Sequence, residues 1–270
     1  MNTNNIKELF KKLNLNEEYS VTYNKAYMIA MTPRCGSSYL TDLLTNLKNF
    51  GRPGEFLPYE HIKIALTNLK KECPSVQNHF SWVINQTTTN GIFGQKASYY
   101  QTAPFLEWNG ENLFKYLFPN TKFIYMLRRN IIKQAISLYI ATESHLFHTN
   151  IKHDEITLRK KELIKYSNEK ILHWILHIYD QEIKWENYFS QENIIPLQFY
   201  YEDFIKSKEL YLSKLLKFID PNHNTVIKQK PSSVFKPVVT NKNQEFYETF
   251  INNRDNLSKL NKLGLSNDRF

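Results

Sequence analysis

The chain is predicted to be an α/β protein built on a central, mostly parallel sheet with helices around it, and three observations carry that prediction. Apolar runs of strand length alternate with stretches of helical periodicity. Two of those runs lead through short loops straight into helices, the pattern of strand–turn–helix units wound in one direction. With 41% hydrophobic and 14% aromatic residues, the 270-residue chain can bury a sizeable core, and it reads as a single domain over 1–270.

Residues 4–13 suggest a short charged helix within an N-terminal extension (1–25), ahead of a core spanning about 26–253. Ala26 to Met31 (AYMIAM) is a strand closed by Thr-Pro. Ser37 or Ser38 is expected to cap the next helix, which runs to about Lys48 with Leu40, Leu43, Leu44 and Leu47 on one face. Gly51, Pro53, Gly54 and Pro58 punctuate a loop, and Tyr59 to Lys71 reads as a helix. Gly91 to Ala97 and Thr121 to Leu127 are strands, and Asn130 to Thr142 is a helix by its apolar spacing. A polar stretch, 145–160, reads as a mobile loop, followed by a long helix from about Lys160 to Phe189. In that helix Trp174, Ile175, Ile178, Tyr179 and Ile183 form an expected core stripe. Asn193 to Tyr200 is a strand that Pro196 assigns to a bend or an edge. Leu210 to Ile219 and 244–261 are helices, separated by a Pro- and Lys-rich stretch, 227–243.

A balance of 35 Lys+Arg against 26 Asp+Glu gives a net charge of +9, which favours an anionic partner. The basic residues are dispersed rather than gathered in an arm, so a compact polyanion fits better than nucleic acid. Two cysteines, Cys35 and Cys73, are too few for a disulfide framework. The polar N-terminus lacks a signal-peptide core and no apolar stretch is long enough to cross a bilayer, so a cytoplasmic location is expected. Lys7, Lys11 and Lys12 beside Leu9, Phe10 and Leu13 allow weak membrane-surface contact, against which Glu8 and the short length weigh.

The loop after the first strand, Thr32-Pro33-Arg34-Cys35-Gly36-Ser37-Ser38, carries the strongest chemical signal. Gly36 lets the backbone approach an anion, the following helix presents its N–H groups, and Arg34, Ser37 and Ser38 add donors. The sequence is not GxxxxGK[ST], so this is no ordinary nucleoside-triphosphate loop. A phosphatase reading of Cys35 would need an arginine where Thr41 stands. Glu55, in the Gly/Pro-shaped loop GRPGEF, has the character of a general base. Arg128 and Arg129 end a strand and precede a helix carrying Gln134 and Ser137, an arrangement suited to a second phosphate. Lys96, in GIFGQK, either reaches the transferred group or pairs with a surface acid. His173 and His177 have zinc-compatible spacing but no third ligand in view, and no metal is expected.

In order along the chain, TPRCGSS, GRPGEF, GIFGQK and YMLRRNIIKQAISLY, followed by PLQFYYEDF and NKNQEFYETF, resemble the trehalose 2-sulfotransferase-type family of bacterial sulfotransferases. The resemblance covers roughly residues 26–253 and implies a P-loop-like three-layer fold that binds 3′-phosphoadenosine 5′-phosphosulfate (PAPS). It assigns the 5′-phosphosulfate to Thr32–Ser38 and acceptor activation to Glu55. The 3′-phosphate goes to Arg128 or Arg129 with Ser137, the adenine to Tyr201, and a late basic contact to Lys242. It implies sulfuryl transfer to a hydroxyl of a carbohydrate or glycolipid, adenosine 3′,5′-bisphosphate as product, and a homodimer. Cys35 departs from the serine usual in that loop, Arg129-Asn130 departs from the usual Arg-Asp or Pro-Asp, and 145–160, the expected acceptor side, does not match. The rival readings are a nucleotide-binding pseudo-enzyme and a kinase-like phosphotransferase with a degenerate loop.

Overall fold

An unbroken apolar strand needs cover on both faces, and β1 (Lys25–Met31) has it: all but its first residue are buried. The computed structural model describes residues 19–68, 75–107, 110–147, 162–223, 241–265 and 267–270. The expected helix at 4–13, most of the 145–160 loop and most of the 227–243 stretch lie outside the described residues.

Four strands form one sheet in the order β2-β1-β3-β4, with β2 at Ile92–Ser98, β3 at Thr121–Leu127 and β4 at Leu197–Tyr200. All three pairings are parallel, so each connection crosses over through helices. Alternation along the strands divides the interior. Ala26, Met28 and Ala30 join Phe123, Tyr125, Phe93 and Trp185 in one core. Tyr27, Ile29 and Met31 join Ile124, Met126, Leu40 and Leu44 in another, on the opposite face. Tyr27 lies so close to β2 that a Cβ on Gly94 would fall 2.4 Å from its ring.

Helices α1 (Ser37–Asn46), α2 (Tyr59–Asn68), α3 (Val76–Thr87), α4 (Tyr99–Leu106) and α5 (Leu113–Leu117) connect the first three strands. The sequence reading leaves α3, α4 and α5 unassigned; α4 even carries Pro104 within it. After β3 come α6 (Ile131–Ser144), the long α7 (Asn168–Gln191), β4, α8 (Tyr201–Lys206) and α9 (Lys208–Ile219). The last segment is two helices rather than one: α10 (Asn241–Ile251) and α11 (Arg254–Lys262), broken where Asn253 caps the second. Apolar faces of α6, α7, α10 and α11 make a third core around Ile132, Ile175, Ile178 and Phe250.

The stripe on α7 also needs correcting. Ile175 and Ile178 are buried and Trp174 and Tyr179 half-buried, but Ile183 is exposed while Glu182 and Trp185 turn inward. Trp185 Nε1 donates to Met31 O at 3.3 Å, fixing α7 to the last residue of β1. No described helix is long and apolar enough to cross a membrane.

Candidate active site

The carboxyl ends of β1, β2, β3 and β4 converge, and the sequence-selected loop leaves β1 at that edge. Its turn is closed by Cys35 N–H donating to Thr32 O at 3.3 Å. Arg34 (φ 67°) and Gly36 (φ 95°) both take positive φ. Gly36, not Ser37 or Ser38, is the N-cap of α1, so the two serines occupy the first helical positions and their amides open the helix. A Cβ at Gly36 would sit 2.3 Å from one carbon of the Tyr201 ring and 2.6 Å from another. Glycine is thus required here for conformation and for space.

Cys35 is fully buried among Leu40, Leu43 and Leu44. Burial raises its thiol pKa, against a weaker opposing influence of the Ser37 amide and hydroxyl. The side chain belongs to the core, an environment that suits a buried thiol.

Gln134 ties α6 to the loop: its Nε2 donates to Thr32 Oγ1 and to Pro33 O, each at 2.8 Å. Arg34 reaches the same helix, with Nε 3.1 Å from Ser137 Oγ, and its other arm donates to Phe147 O at 2.6 Å. Arg128 donates to Arg34 O at 3.3 Å and lies 3.7 Å from Glu202. Burial lowers the pKa of both guanidiniums, and Arg34 is lowered further by the Arg128 charge. The neighbouring arginine diverges. Arg129 pairs with Asp203 at 2.6 Å and lies 4.3 Å over the Tyr200 ring. Arg34, Arg128 and Ser137 therefore form one cluster with the loop, and Arg129 faces α8.

Glu55 is brought in by the sheet edge. Gly54 bridges Gln95 as a parallel partner, and Lys96 N–H donates to Gly54 O at 2.9 Å. The Lys96 side chain is buried, with Nζ 2.8 Å from Ser38 Oγ and 3.2 Å from Glu55 Oε1. One ammonium thus links the loop to the carboxylate. Gln101 Nε2 donates to the other carboxylate oxygen at 2.9 Å.

Tyr201 starts α8 directly after β4, its ring against Gly36 and half-buried, with its pKa raised by burial. Lys242 lies at the start of α10, where its ammonium donates to the main-chain oxygens of Glu162 and Ile164.

The Stf0 sulphotransferase family model matches residues 26–250. The chain belongs to the Stf0 sulphotransferase family. It is 24% identical over 213 residues to the trehalose 2-sulfotransferase of Mycobacterium tuberculosis (strain ATCC 35801 / TMC 107 / Erdman), a match covering 66% of this chain and 77% of that one. A crystal structure of a sulfotransferase from Alicyclobacillus acidocaldarius aligns over 88% of this chain and 94% of its own, with a TM-score of 0.46 and 12% identity.

Two features of this Stf0 sulphotransferase escape sequence reading. Gln101 lies outside every motif, and its link to Glu55 depends on tertiary pairing. Arg269, in the short 3₁₀ turn Asn267–Arg269, donates to Arg128 O and Arg129 O at 3.3 and 3.1 Å. It also holds both oxygens of buried Glu182 at 2.9 Å. An acid between Ile178 and Trp185, on the buried side of α7, is the one sequence signal that could have pointed to this clamp.

Proposed function

We propose that this sulphotransferase moves a sulfuryl group from PAPS to a hydroxyl of a carbohydrate, in line, with Glu55 as general base. The observation that carries the reading is Lys96, whose ammonium spans Ser38 at 2.8 Å and Glu55 at 3.2 Å. It joins an anion-holding loop to a carboxylate over the distance of one reacting group.

In this reading the first amides of α1, Arg34, Ser37 and Ser38 hold the 5′-phosphosulfate. Arg128 and Ser137 take the 3′-phosphate, and the anion relieves the repulsion between Arg34 and Arg128. Tyr201 offers an aromatic face to the adenine. The acceptor oxygen forms a bond to sulfur as the bond from sulfur to the bridging phosphate oxygen breaks. The acceptor proton passes to Glu55, and Lys96 offsets charge on the departing oxygen of adenosine 3′,5′-bisphosphate. Lys96 leaves Glu55 as its second partner at that moment, so one cation serves both ends of the transfer. A carbohydrate acceptor is supported by the resemblance to a trehalose 2-sulfotransferase; a glycolipid presents the same hydroxyl chemistry.

The test is transfer of labelled sulfuryl from PAPS across free sugars, glycolipids and simple alcohols. It is paired with thermal shifts in adenosine 3′,5′-bisphosphate and in ATP with magnesium. Stabilisation by the bisphosphate alone, with a labelled sugar product, is expected. Glu55→Gln should lower turnover about 10²-fold or more with donor binding intact. Near-normal turnover in that variant would remove Glu55 from the mechanism, and stabilisation by ATP with magnesium alone would remove PAPS.

A further inference from the structure

The side-chain amide of Gln101 makes two bonds at once. Its Oε1 accepts the Ser98 N–H at 2.8 Å, half of a capping box at the start of α4. Its Nε2 donates to Glu55 Oε2 at 2.9 Å. The first bond decides the second: with the amide oxygen committed to a backbone donor, the NH₂ must face the carboxylate. Ser98 and Lys96 share one face of β2, two positions apart. The end of β2 therefore holds Glu55 from both sides, Lys96 on Oε1 and Gln101 on Oε2.

The platform under Gln101 is fixed in turn. The neighbouring Tyr100 hydroxyl donates to Asp180 on α7, and Lys184 completes the group at 2.7 Å from Asp180 and 3.3 Å from the hydroxyl. Through Trp185 the same helix is fastened to Met31, immediately before the loop. Loop, carboxylate and amide are thus referenced to one rigid element.

We infer that Gln101 is a positioning residue that sets the plane of the Glu55 carboxylate by occupying Oε2, so that the acceptor proton is directed to Oε1 as Lys96 turns from that oxygen to the departing one. This rests on the reading of Glu55 as the base. A long flexible side chain loses its rotamer freedom before the substrate arrives, so that cost is not met during the reaction. A neutral amide does this without adding a second positive charge, which would weaken the carboxylate as a proton acceptor.

Gln101→Glu keeps an oxygen for the Ser98 N–H but removes the donor, and Gln101→Ala removes both. Each is to be made alone and with Glu55→Gln, measuring kcat, the KM for PAPS and the affinity for adenosine 3′,5′-bisphosphate. Both single variants should lose about 10–100-fold in kcat with the KM for PAPS within about twofold. In the Glu55→Gln background neither should cost more, because the group being positioned is already gone. A single variant within about twofold of normal kcat, beside a crippled Glu55→Gln, overturns the positioning role and leaves the base in place. Equal losses in both backgrounds overturn it as well, by making Gln101 a fold residue. A fully active Glu55→Gln defeats the base reading itself, and this inference with it.

Discussion

Replacing Gly36 with alanine tests whether the loop holds its shape by backbone conformation and contact together. At φ 95° the residue lies where a Cβ is strained, worth about 1–2 kcal/mol. The added methyl would also fall 2.3 Å from the Tyr201 ring, so the ring or the loop must shift. Overpacking of that kind costs about 1–3 kcal/mol. The sum, about 2–5 kcal/mol, lowers Tm by about 5–15 °C in a chain of this size. Because the displaced ring borders the proposed donor site, affinity for adenosine 3′,5′-bisphosphate should fall as well. The assay is thermal unfolding by circular dichroism with calorimetric titration of the bisphosphate, repeated in a Tyr201→Ala background. There the steric part vanishes, and Gly36→Ala should cost only the conformational 1–2 kcal/mol or so. A Tm within about 2 °C of normal would refute the reasoning. So would an equal loss in both backgrounds.

Arg128 faces the loop while Arg129 is already engaged by Asp203, so Arg128→Ala should weaken bisphosphate binding about 10-fold or more by titration calorimetry. Arg129→Ala should weaken it about threefold at most, and the reverse order would contradict the assignment. Burial pushes the Glu182 carboxyl up to about 7 from 4.5, with Arg269 pulling the other way. The folded state then binds the proton more tightly than the unfolded chain. The resulting stability is fully present below about pH 4.5 and lost as pH rises through about 7, up to about 3 kcal/mol. Denaturant midpoints at pH 5 and pH 8 should therefore diverge in the native protein and converge in Glu182→Gln; identical pH dependence in both would count against it. In a Cys73→Ser background, Cys35 should react with a thiol reagent only as fast as the protein opens, given its burial. Labelling of the folded protein at the rate of a small free thiol would place Cys35 elsewhere.

The central strands β1 and β3 were legible because burial on both faces leaves apolar runs, and β3 spans Thr121–Leu127 as read. Helix α4 was not, since Pro104 argues against it locally while packing of Phe105 and a capped start hold it. Lys96 and Glu55 could each be picked out as candidates, yet neither points to the other. What joins them is a bridge between Gly54 and Gln95, a pairing that only the folded sheet creates. The arginine pair shows the same limit: two identical neighbours are told apart by Asp203, 74 positions later. Cys35 looked chemical because it sits mid-loop, but the left-handed turns on either side rotate it into the core.

The clamp of Arg269 on the Arg128–Arg129 turn spans 140 positions of chain. Contacts of such long range close late in folding, after the sheet and its nearer helices can already exist. A half-folded chain can therefore possess every strand and still lack a settled Arg128–Arg129 turn at the carboxyl end of β3. The proposed affinity for the bisphosphate would then belong to the finished fold alone, and such a ligand would select completed molecules over compact intermediates.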